Sequence, residues 1–255
     1  MLLTRLYDAL LTVAYPQACR VCGGSVEERR LGVACRACWD KTRVFTGAET
    51  ICWKCGAPSP SKRQSEDKID AKVDDNINEQ ARCRRCDSQS FSAARAVGVY
   101  EHGLRESVLS LKRRPHISTF LIDLLLGAAQ REPLNNATLI IPVPLHENRQ
   151  RERGFNQASV IAEALANTVH LPVDQATLWR PRASEKYRAG LDPKGRRDTV
   201  AGVFEVRHPK LVEGESILLV DDVFTTGATV NSCAEALLAS GAGKVVVLTI
   251  ARGKS

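Results

Sequence analysis

Aromatic side chains are scarce in this sequence of 255 residues, where Phe, Trp and Tyr together make up 5%. Proteins that bind single-stranded nucleic acid without base specificity stack successive bases on such rings. The scarcity therefore argues against an extensive base-stacking platform. The Gly-x-x-x-x-Gly-Lys-Ser/Thr loop, with which another class of proteins cradles nucleotide phosphates, is also missing. Any phosphate site in this chain must be built differently.

A long uninterrupted apolar run is missing from the start of the sequence. Residues 1–16 are mostly apolar, but Arg5 and Asp8 interrupt them, and the stretch is too short to span a bilayer. It has no clear small-x-small cleavage site of the kind that follows an export signal. We predict an amphipathic helix that packs on the cysteine-rich part of the chain, no membrane span, and a cytoplasmic protein.

Cysteines, in contrast, are plentiful and regularly spaced. Eight of the nine fall in Cys-x-x-Cys pairs, which are Cys19/Cys22, Cys35/Cys38, Cys52/Cys55 and Cys83/Cys86. Two sulfurs separated by two residues can face one ion, which suits tetrahedral zinc. A disulfide framework is the alternative, but it is typical of secreted chains, and no convincing export signal is present. We predict two structural zinc sites with four cysteines each.

The spacing leaves open which pairs share an ion. Sequential grouping is simpler, with the first two pairs in one site and the last two in the other, but a crossed arrangement also fits. Residues 58–80, between the third and fourth pairs, are polar and charged, so we predict a mobile insertion there. Cys233, the ninth cysteine, is expected to be a buried apolar residue in a helix.

The charge balance is basic, with 36 Lys and Arg against 29 Asp and Glu and a formal net charge of +7. Such an excess favours polyanionic ligands or nucleic acid. Each zinc ion held by four thiolates carries a net charge of about −2, so two sites would reduce the total to about +3. Local basic clusters are therefore more informative than the total charge.

Strands and helices alternate in the second part of the sequence. The predicted strands are 96–100, 139–141, 217–220 and 244–251, and the predicted helices are 103–112, 117–130, 157–166 and 230–240. This alternation is typical of an α/β domain with a mostly parallel sheet flanked by helices. We predict a cysteine module at 1–92 and an α/β domain at 93–255.

The strand at 217–220 leads directly into Asp221 and Asp222. Ligands of parallel sheets lie beyond the carboxyl ends of the strands, and alternation along a strand should make the two carboxylates diverge. They could then accept hydrogen bonds from two ribose hydroxyls or from water on a magnesium ion. The turn that follows could hold a phosphate at a helix N-terminus and consists of Thr225, Thr226, Gly227, Ala228 and Thr229. An ordinary capped strand-to-helix turn is the alternative.

Basic residues are predicted to line the same edge. The prolines of residues 142–144 follow a strand, and Arg149 and Arg153 come in the charged stretch after them, which we interpret as a loop. A guanidinium fork binds two oxygens at once, so these arginines, with Lys112, suit a pyrophosphate group. A solvated charged loop is the alternative.

Three segments together resemble one family. Residues 217–229 resemble the phosphoribosyl pyrophosphate (PRPP) signature of type I phosphoribosyltransferases. Residues 142–158 follow Pro-Val-Pro-Leu-His-x-x-Arg-x-x-x-Arg-Gly-Phe-Asn-Gln-Ala, which resembles the hallmark stretch of the ComF/GntX family. The four cysteine pairs resemble that family's double zinc ribbon. The three segments occur in the family's order, and the resemblance covers nearly the whole chain apart from 58–80.

The resemblance implies a type I phosphoribosyltransferase-like fold that binds PRPP with magnesium. It places Asp221 and Asp222 against the ribose hydroxyls and residues 225–229 around the 5-phosphate, and it implies a role in DNA uptake. The sequence departs from the family's pattern in the loop before the signature strand. Leu191, Arg196, Gly202 and Phe204 fit, whereas Arg188 stands where Gln is usual and Thr199 where Asn is usual. The acceptor and the turnover of PRPP are therefore not fixed by the resemblance.

Three functions remain open at this point. The first is enzymatic transfer of phosphoribosyl to an unknown acceptor, with Asp221, Asp222, Arg149 and Arg153 as catalytic residues. The second is a module for single-stranded DNA, in which the contacts would come from residues 180–198 and from Arg82, Arg84, Arg85 and Arg95. The third is a scaffold that docks a DNA helicase or translocase. We favour a PRPP-binding, phosphoribosyltransferase-like protein of DNA uptake or utilisation, and the sequence leaves its oligomeric state open.

Overall fold

The computed structural model describes residues 15–49, 52–58, 83, 86, 88–181 and 203–253. Several sequence predictions fall wholly or mostly outside the described residues. They concern the helix at 1–16, the insertion at 58–80, the basic loop at 180–198, and Arg82, Arg84, Arg85, Arg188, Leu191, Arg196, Thr199 and Gly202.

Four parallel strands form the central sheet in the order β1-β6-β5-β2, and two further strands, β3 and β4, form a short antiparallel pair. The strands are β1 (Ala93–Val99), β2 (Leu139–Pro142), β3 (Leu178–Trp179), β4 (Glu205–Val206), β5 (Ser216–Phe224) and β6 (Lys244–Arg252). Most residues of each central strand are buried, as expected for a parallel sheet covered on both faces.

Six α-helices lie within the described residues, and most of them cover the sheet. They are α1 (Arg36–Asp40), α2 (His102–Leu111), α3 (Thr119–Ala129), α4 (Glu147–Arg153), α5 (Gln157–Val169) and α6 (Ala228–Ala239). None of these helices is both long and apolar enough to cross a membrane. The arrangement confirms the predicted α/β domain with a parallel sheet flanked by helices.

The two faces of the sheet have separate hydrophobic cores. Because side chains alternate along a strand, Leu218 and Val220 of β5 pack on one face, in the core shared with α2, α3 and α5. Ile217 and Leu219 pack on the opposite face, in the core shared with α6. Each fully buried aliphatic side chain contributes roughly 1.5–3 kcal/mol of transfer free energy, so both layers help to hold β5 in place.

The two cysteine groups lie on opposite faces of this sheet. Cys19, Cys35 and Cys38 belong to the core of α2 and α3, where the Trp39 ring packs 4.9 Å from Phe120. The second group belongs to the core of α6, through Cys52, Cys55 and Cys86. The N–H of Ala94 in β1 donates to the carbonyl of Lys54 over 2.6 Å. Both groups are thus packed on the α/β domain, and the domain boundary at 92/93 stays a prediction.

The charged stretch after β2 is a helix, α4, and the interpretation as a loop was wrong. His146 caps its start, because the Nδ1 atom accepts from the N–H of Asn148 over 3.3 Å. Gly154 ends it in the left-handed conformation, and Arg151 pairs with Glu147 one turn earlier. Local capping and this i,i+4 pair therefore form a helix without an apolar face.

Candidate functional site

The acidic pair lies in the last part of β5, where the two neighbours of β5, β2 and β6, end at different positions along it. β2 stops at Pro142, which pairs with Val220, whereas β6 continues beside β5 until Arg252 pairs with Phe224. The strand prediction of 217–220 was therefore too short, because β5 includes both aspartates. Asp221 and Asp222 stand in the half of β5 that β2 leaves uncovered, so one side of this segment opens toward residues 143–146.

Asp222 is held by two donors from the face of α2 and α5. Its side chain is buried, with a relative exposure of the residue of 7%. Lys112, the C-cap of α2, places Nζ 3.1 Å from Oδ2, and the Nε2 atom of Gln157 donates to the same oxygen over 3.4 Å. Gln157 in turn accepts a hydrogen bond from Arg153. The predicted residues Lys112 and Arg153 are thus connected to the acidic pair, Arg153 through Gln157.

Asp221 belongs to the opposite side of the strand. Burial first, and then the negative charge of Asp222, raise the pKa of Asp221 to about 7, although a hydrogen bond from the Asp222 N–H and the charge of Lys112 act in the other direction. Burial, together with the charge of Asp221, raises the pKa of Cys233 in α6. The Asp222 side chain is thus held from α2 and α5, and the charge of Asp221 reaches Cys233 of α6. The two side chains nevertheless lie close enough for a mutual hydrogen bond that helps to raise the pKa of Asp221, so the divergence of the carboxylates stays a prediction.

The turn from Phe224 to α6 has the features of an anion site. Gly227 is the N-cap of α6 and has a φ of +83°, a conformation that residues other than glycine rarely adopt. Gly227 has no side chain with which to cap this N-terminus, and the hydroxyl oxygen of Thr226 accepts from the N–H of Ala228 over 3.3 Å. The predicted phosphate residues Thr225, Thr226, Ala228 and Thr229 are exposed around it. A helix N-terminus with outward N–H groups and nearby hydroxyls favours a phosphate.

Two residues of the site had no role in the sequence analysis. Asn156 caps α5, since its side chain accepts from the N–H of Ala158, and its Nδ2 atom donates to the carbonyl of Val143 over 2.9 Å. Gln157 carries the contact from Arg153 to Asp222. They lie three and four residues after Arg153 in the family-like stretch, and Asn at a helix start is a recognisable cap signal. Arg149 is exposed on α4, and its part in the site stays a prediction.

The cysteines form two groups in sequential order, which decides the pairing that the spacing left open. The four sulfurs of Cys19, Cys22, Cys35 and Cys38 lie within 4.8 Å of one another, and so do those of Cys52, Cys55, Cys83 and Cys86. Tetrahedral zinc with Zn–S bonds of about 2.3 Å requires sulfurs about 3.8 Å apart. The Cys22–Cys35 and Cys52–Cys86 sulfur distances are both 3.7 Å. Both groups could therefore hold zinc.

Backbone N–H groups favour ionisation of one thiol in each group. Burial opposes ionisation of Cys19 and Cys52, but hydrogen bonds from neighbouring N–H groups outweigh it and lower the pKa of each thiol to about 6. The N–H of Cys35 donates to the Cys19 sulfur over 3.3 Å, and that of Cys83 to the Cys52 sulfur over 3.2 Å. Burial instead raises the pKa of Cys38 and Cys86. Backbone hydrogen bonds thus make Cys19 and Cys52 easier to ionise than Cys38 and Cys86.

Arg95, predicted to contact DNA, lies beside the second cysteine group. Its guanidinium donates to the carbonyls of Trp53 and Ala94 over 2.7 and 2.8 Å. Arg180, at the described start of the predicted basic loop, lies 5.4 Å from the centre of the Phe204 ring. Arg95 therefore links β1 to the segment of the second group, and its contact with DNA stays a prediction.

Comparisons with known proteins give two kinds of similarity. No protein-family model matches the sequence. Competence protein ComFC of Bacillus subtilis is 30% identical over 222 residues, which cover 86% of this chain and 83% of that protein. DNA utilization protein YhgH of Shigella flexneri is 30% identical over 251 residues, which cover 95% of this chain and 99% of that protein.

Solved structures resemble the chain only in part. Glutamine PRPP amidotransferase from B. subtilis, complexed with ADP and GMP, has a TM-score of 0.39 at 19% identity and covers 56% of this chain. The match spans 30% of the amidotransferase chain. Adenine phosphoribosyltransferase from Leishmania donovani has a TM-score of 0.32 at 19% identity, over 58% of this chain and 54% of that one.

Proposed function

The chain belongs to the ComF/GntX family of competence and DNA-utilization proteins, and from this premise we propose that it binds PRPP with magnesium at the carboxyl end of β5. The observation that carries the proposal is the order of groups along one open edge. Two adjacent carboxylates are followed within a few residues by a glycine turn and by a helix N-terminus that only the hydroxyl of Thr226 contacts. This order matches the order of hydroxyls and phosphate in a ribose 5-phosphate.

The ribose would lie against the acidic pair. Carboxylates accept hydrogen bonds only, so Asp221 and Asp222 suit the 2- and 3-hydroxyls of the sugar. Lys112 and Gln157 fix the carboxylate of Asp222 before any ligand arrives, which reduces the ordering cost of binding. The 5-phosphate would accept from N–H groups of the turn at residues 225–229, where the dipole of α6 favours a dianion.

The pyrophosphate group would face the basic residues on the other side of the opening. Arg153 is half-buried and linked through Gln157 to the acidic pair, so its guanidinium is held near the site. Carboxylates and phosphate oxygens are the ligands that magnesium prefers, and the ion would neutralise charge on the pyrophosphate. Lys112 adds a second fixed positive charge at the same opening.

Transfer of phosphoribosyl is the enzymatic form of this proposal. The C1–oxygen bond to pyrophosphate would break, its electron pair would leave with the pyrophosphate, and a nucleophilic acceptor would form the new bond to C1. Positive charge at the opening would stabilise the leaving group. The names of the relatives place them in competence and DNA utilization. We propose that this chain acts in the same pathway and that single-stranded DNA is its macromolecular partner.

Calorimetric titration of PRPP and magnesium into the purified protein tests the binding proposal. We expect saturable binding to the wild type and a loss of about 10- to 150-fold in affinity for Asp222→Asn, since a hydrogen bond to a charged group contributes about 1.5–3 kcal/mol. Asp40→Asn, which changes an exposed aspartate in α1, is the matched control and should bind as the wild type. The proposal would be refuted if the wild type showed no saturable binding. It would also be refuted if the double variant, with both Asp221→Asn and Asp222→Asn, kept the affinity of the wild type. Pyrophosphate release on the same sample reports transfer separately.

A further inference from the structure

Arg252 connects the second cysteine group to the start of the phosphate turn. It is the last residue of β6 and is buried. Its Nη1 atom donates to the carbonyl of Cys55 over 2.5 Å, and Nη2 lies 3.6 Å from the Cys55 sulfur. The same guanidinium lies over the ring of Phe224, with Cζ 4.7 Å from the ring centre. Phe224 is the last residue of β5, so one side chain contacts both the cysteine group and the strand that enters the turn.

The Phe224 ring also supports the turn from inside. A Cβ atom at Gly227 would lie 2.7 Å from Cζ of Phe224 and 3.4 Å from Oε1 of Gln89. Gln89 belongs to the segment that follows Cys86, because its N–H donates to the Cys86 carbonyl over 3.2 Å. The inner side of the turn is therefore formed by a ring held under Arg252 and by a side chain from the cysteine segment.

A further contact joins the same segment to α6. The N–H of Ser90 donates to Oδ1 of Asn231 over 2.5 Å, and the hydroxyl of Ser90 donates to Glu235 over 3.4 Å. Asn231 lies in the first turn of α6, two residues after Thr229, the last of the predicted phosphate residues. Through Arg252 and the segment that follows Cys86, the second cysteine group is thus connected to the end of β5, to the turn and to the start of α6.

The charge of Arg252 gives these contacts an electrostatic basis. No carboxylate among the described residues forms an ion pair with Arg252, and its buried Nε atom has no hydrogen-bond partner. A buried charge without compensation is strongly destabilising. A zinc ion held by four thiolates has a net charge of about −2, and Cys55 is the ligand that Arg252 touches. The loaded group is therefore the counter-charge that this guanidinium requires.

We propose that occupancy of the second cysteine group by its metal and ligand binding at the phosphate turn are energetically coupled through Arg252 and Phe224. The loaded group holds the guanidinium, the guanidinium holds the ring, and the ring holds Gly227 in its binding conformation. Coupling is reciprocal, so a ligand on the turn also strengthens binding of the metal by the second cysteine group. The identity of the ligand rests on the proposed function, and PRPP with magnesium is the probe.

The first cysteine group provides an internal reference, because it lies on the other face of the sheet and packs on α2 and α3. Cys22 and Cys83 are the most accessible cysteines of their groups. We expect Cys83→Ser to lose zinc and to weaken PRPP binding about 5- to 150-fold, the usual range for coupled sites. Cys22→Ser should lose zinc as well but bind PRPP within about twofold of the wild type. Equal weakening in both variants would indicate general destabilisation and overturn the proposal.

A second measurement uses the wild type alone. A chelator should remove the two zinc ions in two phases, and PRPP with magnesium should slow only the phase that is absent from Cys83→Ser. Protection of both phases, or of neither, would overturn the coupling. Arg252→Gln should retain the protein's fold by circular dichroism, lose this protection and release that zinc ion faster, whereas Arg252→Lys, which keeps the charge, should retain part of the protection.

Hydrogen exchange separates this proposal from the proposed function. Without any ligand, the amides of residues 224–230 should exchange faster in Cys83→Ser than in the wild type. Their exchange rates in Cys22→Ser should equal those of the wild type. If the wild type failed to bind PRPP while this contrast appeared, the proposed ligand would be wrong and the coupling would stand. If the wild type bound PRPP and Cys83→Ser bound it equally well without its zinc ion, the coupling would be wrong.

Discussion

Replacement of Gly227 by alanine should distort the turn and lower both the stability of the protein and its affinity for PRPP. Gly227 has a φ of +83°, and the left-handed conformation costs a residue with a Cβ roughly 1–2 kcal/mol. The added Cβ would also lie 2.7 Å from the Phe224 ring, which is fixed between Arg252 and Phe91. Inserting a methyl group into a packed site of this kind costs about 1–3 kcal/mol. We therefore expect Gly227→Ala to lower the free energy of unfolding by about 2–5 kcal/mol.

Gly214→Ala is the matched control, because Gly214 has a φ of +75° and no atom within 4 Å of the position of a Cβ. It should lose only the conformational part, about 1–2 kcal/mol. Urea denaturation of both variants measures the difference. Calorimetry should show that Gly227→Ala binds PRPP with magnesium at least about tenfold more weakly, which corresponds to about 1.4 kcal/mol, whereas Gly214→Ala binds it normally. Equal destabilisation of the two variants, or unchanged affinity of Gly227→Ala, would refute the assignment of a tightly packed phosphate turn.

Three further predictions follow from the same structure. Asn156→Ala removes the cap of α5 and the contact to Val143, so thermal denaturation should show a loss of about 0.5–2 kcal/mol, and PRPP affinity should fall because Gln157 starts the same helix. Burial would raise the pKa of Asp174, but hydrogen bonds from Thr177 and Ala176 hold it below its usual value. Asp174 therefore contributes fully to the free energy of unfolding above its unfolded pKa of about 4, and this contribution is lost as the pH falls through its folded pKa. The unfolding free energies of wild type and Asp174→Asn should differ by about 1–3 kcal/mol at pH 6 and should converge in acid. Removal of zinc by a chelator should lower the thermal midpoint, and re-addition should restore it, because structural zinc contributes folding free energy; an unchanged midpoint after complete removal would contradict this.

The sequence was sufficient to predict the strand, the acidic pair and the helix of the site. The apolar run before Asp221 is continuous, and the residues after it combine a glycine with hydroxyl side chains, so the local signals agree with the tertiary structure. The end of β5 was placed too early because two aspartates are unusual inside a strand. The structure shows why they are allowed there: β2 stops at Pro142 and leaves their side of the strand open.

Helix α4 and Arg252 could not be predicted from local patterns. α4 has no buried residues and therefore no apolar period, and its stability comes from His146, Gly154 and the Glu147–Arg151 pair. Arg252 stands at the end of an apolar strand, where a basic residue is usually solvated. Its partner Cys55 is 197 residues away, so only the strand order brings the two together.

That strand order also sets the sequence of events during synthesis. β6 comes last along the chain among the described strands, yet it lies between β1 and β5. While the nascent chain emerges from the ribosome, β1 and β5 have no common neighbour, and their apolar edges stay unpaired until residues 244–252 appear. Such long-range parallel pairing forms slowly and exposes aggregation-prone edges in the meantime. Arg252 arrives with the same strand, so the cysteine segment gains its buried cation only when the sheet closes.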